Sequence, residues 1–334
     1  MREPAFWWRE ASLAAGLLAP LAALYGAEAG RRLAQAGARA AVPVVCIGNL
    51  TVGGAGKTPL ALTLAQALKS AGHTPVLLSR GYGGALAGPL RVDPARHRAG
   101  DVGDEPLLLA RVAPTFVARD RVKGAAAAVA AGASVIVMDD GFQNPSLQKD
   151  FSVLVVDARR GIGNRKVVPA GPLRAPLAAQ LARADALVVV GSGTAGTAVA
   201  AQAEQRGLPV FQARLEPEAA AVAALAGTPA LAFAGIGDPQ KLFASLAAAG
   251  IAVARSRGFP DHHRYTAAEA GGLCEEADRA GLQLVTTEKD LVRMAGDARV
   301  AALAERARAL PVTLTLADAP AFLRLLGSKI AAKR

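Results

Sequence analysis

The residues best suited to chemistry in this 334-residue chain form the run Gly48-Asn49-Leu50-Thr51-Val52-Gly53-Gly54-Ala55-Gly56-Lys57-Thr58. An apolar, strand-like segment precedes it and a segment of helical spacing follows. In that setting a glycine-rich turn aims backbone N–H groups at phosphate oxygens from a helix N-terminus. Lys57 then reaches the β- and γ-phosphates and the Thr58 hydroxyl holds Mg2+. Thr51, Val52, Gly53, Gly54, Ala55, Gly56, Lys57 and Thr58 are therefore the expected nucleotide cradle. The general pattern G-x-x-x-x-G-K-[ST] would place glycine where Thr51 stands, and the alternative is a glycine-rich turn ending in a solvated lysine.

Acids follow at positions that suit phosphoryl transfer. An apolar run over 134–138 ends in Asp139-Asp140-Gly141-Phe142-Gln143, and the C-terminal edge of such a strand is where a metal-organising aspartate sits, so Asp139 or Asp140 is expected to bind Mg2+ directly or through water. Gly103-Asp104-Glu105-Pro106 opens a helix, since proline suits the first helical turn; its two acids can cap that helix or do chemistry. His262 and His263 stand together in Phe259-Pro260-Asp261-His262-His263-Arg264. They form either a surface turn or a histidine that orients a carboxylate across a cleft as a hydroxyl proton leaves. No H-x-x-x-H spacing or cysteine partner supports zinc.

The elements that must position these groups are legible as alternation. Strand-like runs recur at 42–47, 75–79, 115–118, 134–138, 152–156, 186–190, 209–215, 230–236, 251–254, 283–286 and 311–316. Between most of them lie helical stretches such as 60–71, 106–112, 122–131 and 239–249. Alternation of this kind predicts an α/β fold with a mainly parallel P-loop-type sheet flanked by helices. A break near 215–228 predicts three parts: an amino-terminal amphipathic segment at 1–30, a P-loop domain at 31–215, and a smaller α/β domain at 216–334 that contributes to the cleft.

Composition narrows the class. A 52% hydrophobic content excludes disorder, and a net charge of +11 favours anionic partners without choosing among them. With Phe 9, Tyr 3 and Trp 2, stacking platforms are scarce and no nucleic-acid reading module is recognisable, so no nucleic-acid partner is expected. Cys46 and Cys274 read as reduced core thiols.

At the amino terminus, Phe6, Trp7, Leu13, Leu17, Leu18, Leu21, Leu24 and Tyr25 fall within roughly a 140° arc of one helix, although Glu10 intrudes. The run is too short and broken to span a bilayer, and Arg2 is balanced by Glu3, unlike a secretory signal. Either it lies in a membrane interface, with the tryptophans at headgroup depth and Arg31-Arg32 near anionic lipid, or it packs on the domain.

Together these motifs resemble the tetraacyldisaccharide 4'-kinase family of lipid A biosynthesis over nearly the whole length. The resemblance is carried by the loop at 48–58, Ser79-Arg80-Gly81-Tyr82-Gly83-Gly84, Gly103-Asp104-Glu105-Pro106, Asp139-Asp140-Gly141-Phe142-Gln143, Pro169-Ala170-Gly171-Pro172-Leu173-Arg174, Asp261-His262-His263 and Thr287-Glu288-Lys289-Asp290. Thr51 is itself similar to that family's loop. The resemblance implies ATP- and Mg2+-dependent phosphorylation of the 4'-hydroxyl of an acylated glucosamine disaccharide 1-phosphate, at the cytoplasmic face of the bacterial inner membrane. Asp104 paired with His262 is then the base, while Glu105, Asp139 and Asp140 organise metal and nucleotide. It also favours the amino-terminal segment as a contact to an anionic membrane surface, and the chain is expected to be a monomer. Arg80 is expected on the substrate's 1-phosphate or the nucleotide phosphates, Lys289 on a phosphate or on Asp290, and Asn164 and Arg174 near the substrate. The competing class is a P-loop NTPase switch acting on a protein partner; a guanine-reading N-K-x-D run is missing, its nearest match being Thr287-Glu288-Lys289-Asp290.

Overall fold

A computed structural model describes residues 3–331. Arg2, with the outermost bounds of the expected segments at 1–2 and 332–334, lies outside them. The strands, in chain order, are β1 (Val44–Asn49), β2 (Pro75–Ser79), β3 (Leu90–Arg91), β4 (Thr115–Val117), β5 (Val135–Asp139), β6 (Phe151–Asp157) and β7 (Ala186–Val190). They continue with β8 (Val210–Pro217), β9 (Ala230–Ala234), β10 (Val253–Gly258), β11 (Gln283–Thr286), β12 (Arg308–Ala309) and β13 (Val312–Leu316). One sheet has the order β13-β8-β7-β6-β1-β5-β2-β4-β3, and a second has β10-β9-β11-β12. In the first, pairing is parallel except at its two edges, β13 on β8 and β3 on β4. The central strands are buried along their whole length, which is why they read as unbroken Val/Ile/Leu runs rather than as alternation.

Local rules set the element ends. The helix Lys57–Ser70 starts directly at the glycine-rich loop, because Gly56 takes φ 99°, a left-handed conformation that closes to a side chain what it opens to a turn. Register places Ile47 of β1 beside Asp139 of β5, and the Asp140 N–H donates to the Ile47 carbonyl at 3.0 Å. Both the loop and the acid pair therefore leave the same C-terminal sheet edge, side by side.

The second sheet departs from expectation at its borders. Residues 216–334 do not form one body: β13 returns to the first sheet, and the helix Ala319–Ala331 buries Phe322 edge-on against Phe151 and Phe211, with ring centroids 5.8 and 5.0 Å apart. Leu314, Leu316, Phe322, Leu326 and Ile330 join the core beneath β1, β6 and β7, and β13 covers the β8 edge that would otherwise be open. The strand expected at 251–254 runs later, as β10. It is an exposed edge strand whose Arg255 and Arg257 both pair with Glu276, so apolar content did not mark it.

The amino-terminal stripe is not one helix. It divides into a 3-10 turn, Ala5–Trp8, and the helices Leu13–Leu17 and Ala19–Leu33, broken where Pro20 begins the next helix. Its tryptophans are held by the protein, which corrects their placement at headgroup depth. Trp7 is buried and donates its indole N–H to the Pro169 carbonyl at 2.9 Å, and the Arg160 guanidinium stacks 3.7 Å over the Trp8 ring. What stays outside is a row of leucines, Leu13 90%, Leu17 82% and Leu24 72% exposed, beside Leu21 and Tyr25. Among the described residues no helix is long and apolar enough to cross a membrane.

Candidate active site

Lys57 reaches out of the loop to within 3.8 Å of Asp140, deep enough that burial pulls its ammonium pKa down against the attraction of Asp140. Asn49 ties the loop by donating to the Gly53 carbonyl at 2.9 Å, and Gly53 itself sits at φ 99°. The second sheet touches the loop as well: Lys241 donates to the Gly54 carbonyl at 3.2 Å and pairs with Asp157 at the end of β6.

The Thr58 hydroxyl donates to Asp139 Oδ2 at 3.3 Å, while Asp139 Oδ1 is buried with no partner. At 1% exposure, burial, with Glu105 and Asp140 as like-charged neighbours, pushes the Asp139 carboxyl up to about 7. An orphaned, charge-strained oxygen beside a threonine hydroxyl is what a divalent cation would satisfy. Asp140 differs. Burial alone would raise it, but Lys57 and a forked bond from Arg174, at 2.7 and 3.2 Å, hold it well below the usual carboxylate range. Among the described residues no three His, Cys, Asp or Glu side chains converge as a metal cluster.

Across the cleft the helix Asp104–Leu109 starts at Gly103, whose φ of 90° sets the entry angle. Asp104 and Glu105 are its first two residues. Asp104, 3% exposed, accepts from Arg293 Nε at 2.8 Å on Oδ2, where His262 Nδ1 also lies at 3.3 Å, and from the Glu105 N–H at 3.0 Å on Oδ1. Burial would raise this carboxyl, yet the His262 bond with the Lys289 and Arg293 charges holds it well below its ordinary value. His262 moves the other way: the bond to Asp104 raises its pKa against the pull of burial. His262 and Asp140 stand at φ 55° and 54°, positions a non-glycine residue occupies at a cost of order 1–3 kcal/mol and commonly at functional sites.

The expected residues are thus brought together, with reassignments. Glu105 accepts from Lys289 at 2.6 Å on Oε1 while its charge bears on Asp139, and Lys289 pairs with Glu105 instead of Asp290. Asn164 is used internally: its amide donates to the Phe6 and Ala170 carbonyls and its oxygen accepts from the Lys166 N–H, which pins the loop that receives the amino terminus. Arg80 is exposed at the end of β2 and acts on Arg121, which in turn feels Asp139 and Asp140. Val52 is partly exposed on the loop, Ala55 buried beneath it.

Two cations escaped the sequence reading. Arg293 links Asp104 to Asp290 by donating to Asp290 Oδ1 and the Gly235 carbonyl, each at 2.8 Å. Its signal was the three-residue helical spacing from Asp290. Arg121 is fully buried near the acid pair with its Nε unpartnered; its signal was a cation in the first turn of a helix, where the dipole disfavours it.

Known proteins resemble this chain over nearly its whole length. A Nitrobacter winogradskyi protein named tetraacyldisaccharide 4'-kinase is 55% identical over 334 residues, covering 100% of this chain and 99% of that protein. One of the same name from Methylobacterium sp. is 60% identical over 326 residues, 97% of this chain and 96% of its own length. The crystal structure of the "apo" form of LpxK from Aquifex aeolicus in complex with ATP superposes with a TM-score of 0.73 at 28% identity, covering 95% of this chain and 99% of that one. The profile of the family described as tetraacyldisaccharide-1-P 4'-kinase matches residues 14–331, and the chain belongs to that family.

Proposed function

We propose that the chain transfers the γ-phosphoryl group of ATP to the 4'-hydroxyl of a tetraacylated glucosamine disaccharide 1-phosphate, with Mg2+ as cofactor. The observation that carries this reading is that the two halves of the reaction lie close together: Glu105, the neighbour of Asp104, acts electrostatically on both Lys57 and Asp139, and Asp104 and His262 are 3.3 Å apart.

Phosphoryl transfer passes through a loose transition state, so the protein's task is to position groups and neutralise charge. The loop N–H groups and Lys57 would hold the β- and γ-phosphates, and Arg80 and Arg121 lie on that side of the cleft. Mg2+, held by Thr58 and Asp139, would neutralise charge between the phosphates. Asp104 orients His262 through Nδ1, and the hydroxyl proton passes to that pair as the O–P bond forms. Arg293 keeps Asp104 ionised and in place.

The exposed leucine row of the amino-terminal helices supports a peripheral contact with an anionic inner-membrane surface on its cytoplasmic side, where an acylated acceptor resides. A monomer suffices for this site, since both walls come from one chain. The test is direct. Purified protein with ATP, Mg2+ and the acylated disaccharide 1-phosphate should yield a bisphosphorylated lipid; ATP hydrolysis at the same rate with and without lipid, and no lipid product, would instead support a nucleotide switch.

A further inference from the structure

Lys241 reaches the phosphate-binding loop from the second sheet. It is the second residue of the helix Gln240–Ala248, and its ammonium donates to the Gly54 carbonyl at 3.2 Å while pairing with Asp157. Resting on the kinase reading above, we propose that Lys241 is a positioning residue: by holding the Gly54 carbonyl it aims the Ala55 N–H at a nucleotide phosphate.

The peptide plane transmits the hold. In a trans peptide the carbonyl oxygen and the following N–H point in opposite directions, so fixing one fixes the other. Asn49 already fixes the preceding plane, through the Gly53 carbonyl at 2.9 Å, and Lys241 fixes the next. Packing does not set that next plane, since a Cβ at Gly54 would meet no atom within 4 Å. Among the described residues the Ala55 N–H donates to no protein acceptor, which leaves it for an anion.

The helix does not account for where Lys241 stands. A cation in the first turn opposes the helix dipole, and Asp157 with the Gly54 carbonyl offsets that cost. A second ion pair of opposite polarity, Arg159 with Asp238, crosses between the same two segments, the one after β6 and the one after β9. Gly237 lies against the loop as well, where a Cβ would stand 3.4 Å from the Gly54 nitrogen. At the far end of this stretch the Gly235 carbonyl accepts the His262 N–H at 3.0 Å and Arg293 at 2.8 Å. Residues 235–241 therefore hold the backbone of the base histidine at one end and the phosphate loop at the other.

The experiment measures binding of ATP, ADP and AMP with Mg2+, and KM for ATP in lipid phosphorylation, in wild type, Lys241→Met, Lys241→Arg and Arg159→Ala. Lys241→Met keeps the stem and removes the donor. Loss of a charge-assisted bond predicts about tenfold weaker binding of ATP and ADP, with AMP, which lacks the phosphates the loop holds, unchanged. KM for ATP should rise in step while KM for the acylated acceptor stays put. Lys241→Arg, which keeps a charged donor, should recover most of the loss. Arg159→Ala, which cuts only the neighbouring ion pair, should leave all three affinities near wild type. The Ala55 amide resonance should move on addition of ADP in wild type and much less in Lys241→Met. Should Lys241→Met fail to fold, Lys241→Gln, polar but one bond shorter, carries the same test. Unchanged ATP and ADP affinity in a folded variant, equal weakening of all three nucleotides, or an equal loss in Arg159→Ala overturns the assignment. If wild type binds ATP yet forms no phosphorylated lipid, the kinase reading falls, and the affinities alone judge the role of Lys241.

Discussion

Replacing Arg293 by alanine should disable the site through its charges rather than its volume. In the native chain the guanidinium donates to Asp104 Oδ2, Asp290 Oδ1 and the Gly235 carbonyl, each at 2.8 Å, and its side chain is only 6% exposed. Its loss leaves two buried carboxylates short of their cation. Asp290, 0% exposed, retains the Gly235 N–H at 3.0 Å, the Tyr265 hydroxyl at 2.8 Å and Thr287; Asp104 retains His262 and one backbone N–H. Removing one partner of a buried ion pair costs about 3–5 kcal/mol, and the surviving hydrogen bonds place this case near the lower end, about 3 kcal/mol. In urea that is a midpoint drop of about 1 M for a slope of about 3 kcal/mol per M. The deficit has a pH signature. Wild-type Asp104 sits below its unfolded value of 3.8, so its contribution is fully present above that value and fades as pH falls through the folded one. In Arg293→Ala the Asp104 carboxylate, having lost its guanidinium, takes up its proton at higher pH than in wild type, so the gap between the proteins should narrow from pH 7 toward pH 5. Denaturation at both pH values, with Arg293→Lys as the charge-retaining control, measures it. A loss below about 1 kcal/mol, or a gap that widens on acidification, would refute the view that Arg293 compensates two buried acids.

Other outcomes follow from the same geometry. Asp104→Asn should lower lipid phosphorylation by about 10²–10⁴-fold, as loss of a positioned base does, while ATP binding changes little; a parallel loss of ATP affinity would place Asp104 in the nucleotide site instead. Because Asp139 is pushed up to about 7 from 3.8, its charged form opposes folding, so its effect on metal-free stability worsens as pH rises across that window. Mg2+ requires the ionised carboxylate. It should therefore raise the thermal midpoint more at pH 8 than at pH 6, with affinity about tenfold weaker at the lower pH; a larger shift at pH 6 would exclude Asp139 as the ligand. Changing Leu13, Leu17 and Leu24 to serine should reduce flotation with anionic liposomes without altering ATP affinity, and unchanged flotation would remove the leucine row from the membrane contact.

What the sequence determined by itself was whatever depends on local order. Buried parallel strands show as continuous apolar runs, and a glycine-rich turn between such a strand and a helix exposes its chemistry in the order of its residues, so the loop at 51–58, Asp139-Asp140 and Asp104 were legible before any coordinates. The resemblance to a family then joined motifs that spacing alone left apart, including His262, which reaches Asp104 from a different sheet. Tertiary structure decided what each charge does once neighbours arrive from afar. Asp139 and Asp140 are adjacent and chemically identical, yet one faces an orphaned, desolvated corner and the other faces Lys57 and Arg174, so their proton affinities separate in opposite directions. Glu105 was read as a metal acid and is engaged by Lys289; Asn164 was read as a substrate contact and is used to hold a loop. The return of β13 to the first sheet and the docking of Trp7 and Trp8 on the protein were invisible for the same reason. An amphipathic segment encodes that it must bury one face, and only the assembled fold supplies the surface that does so.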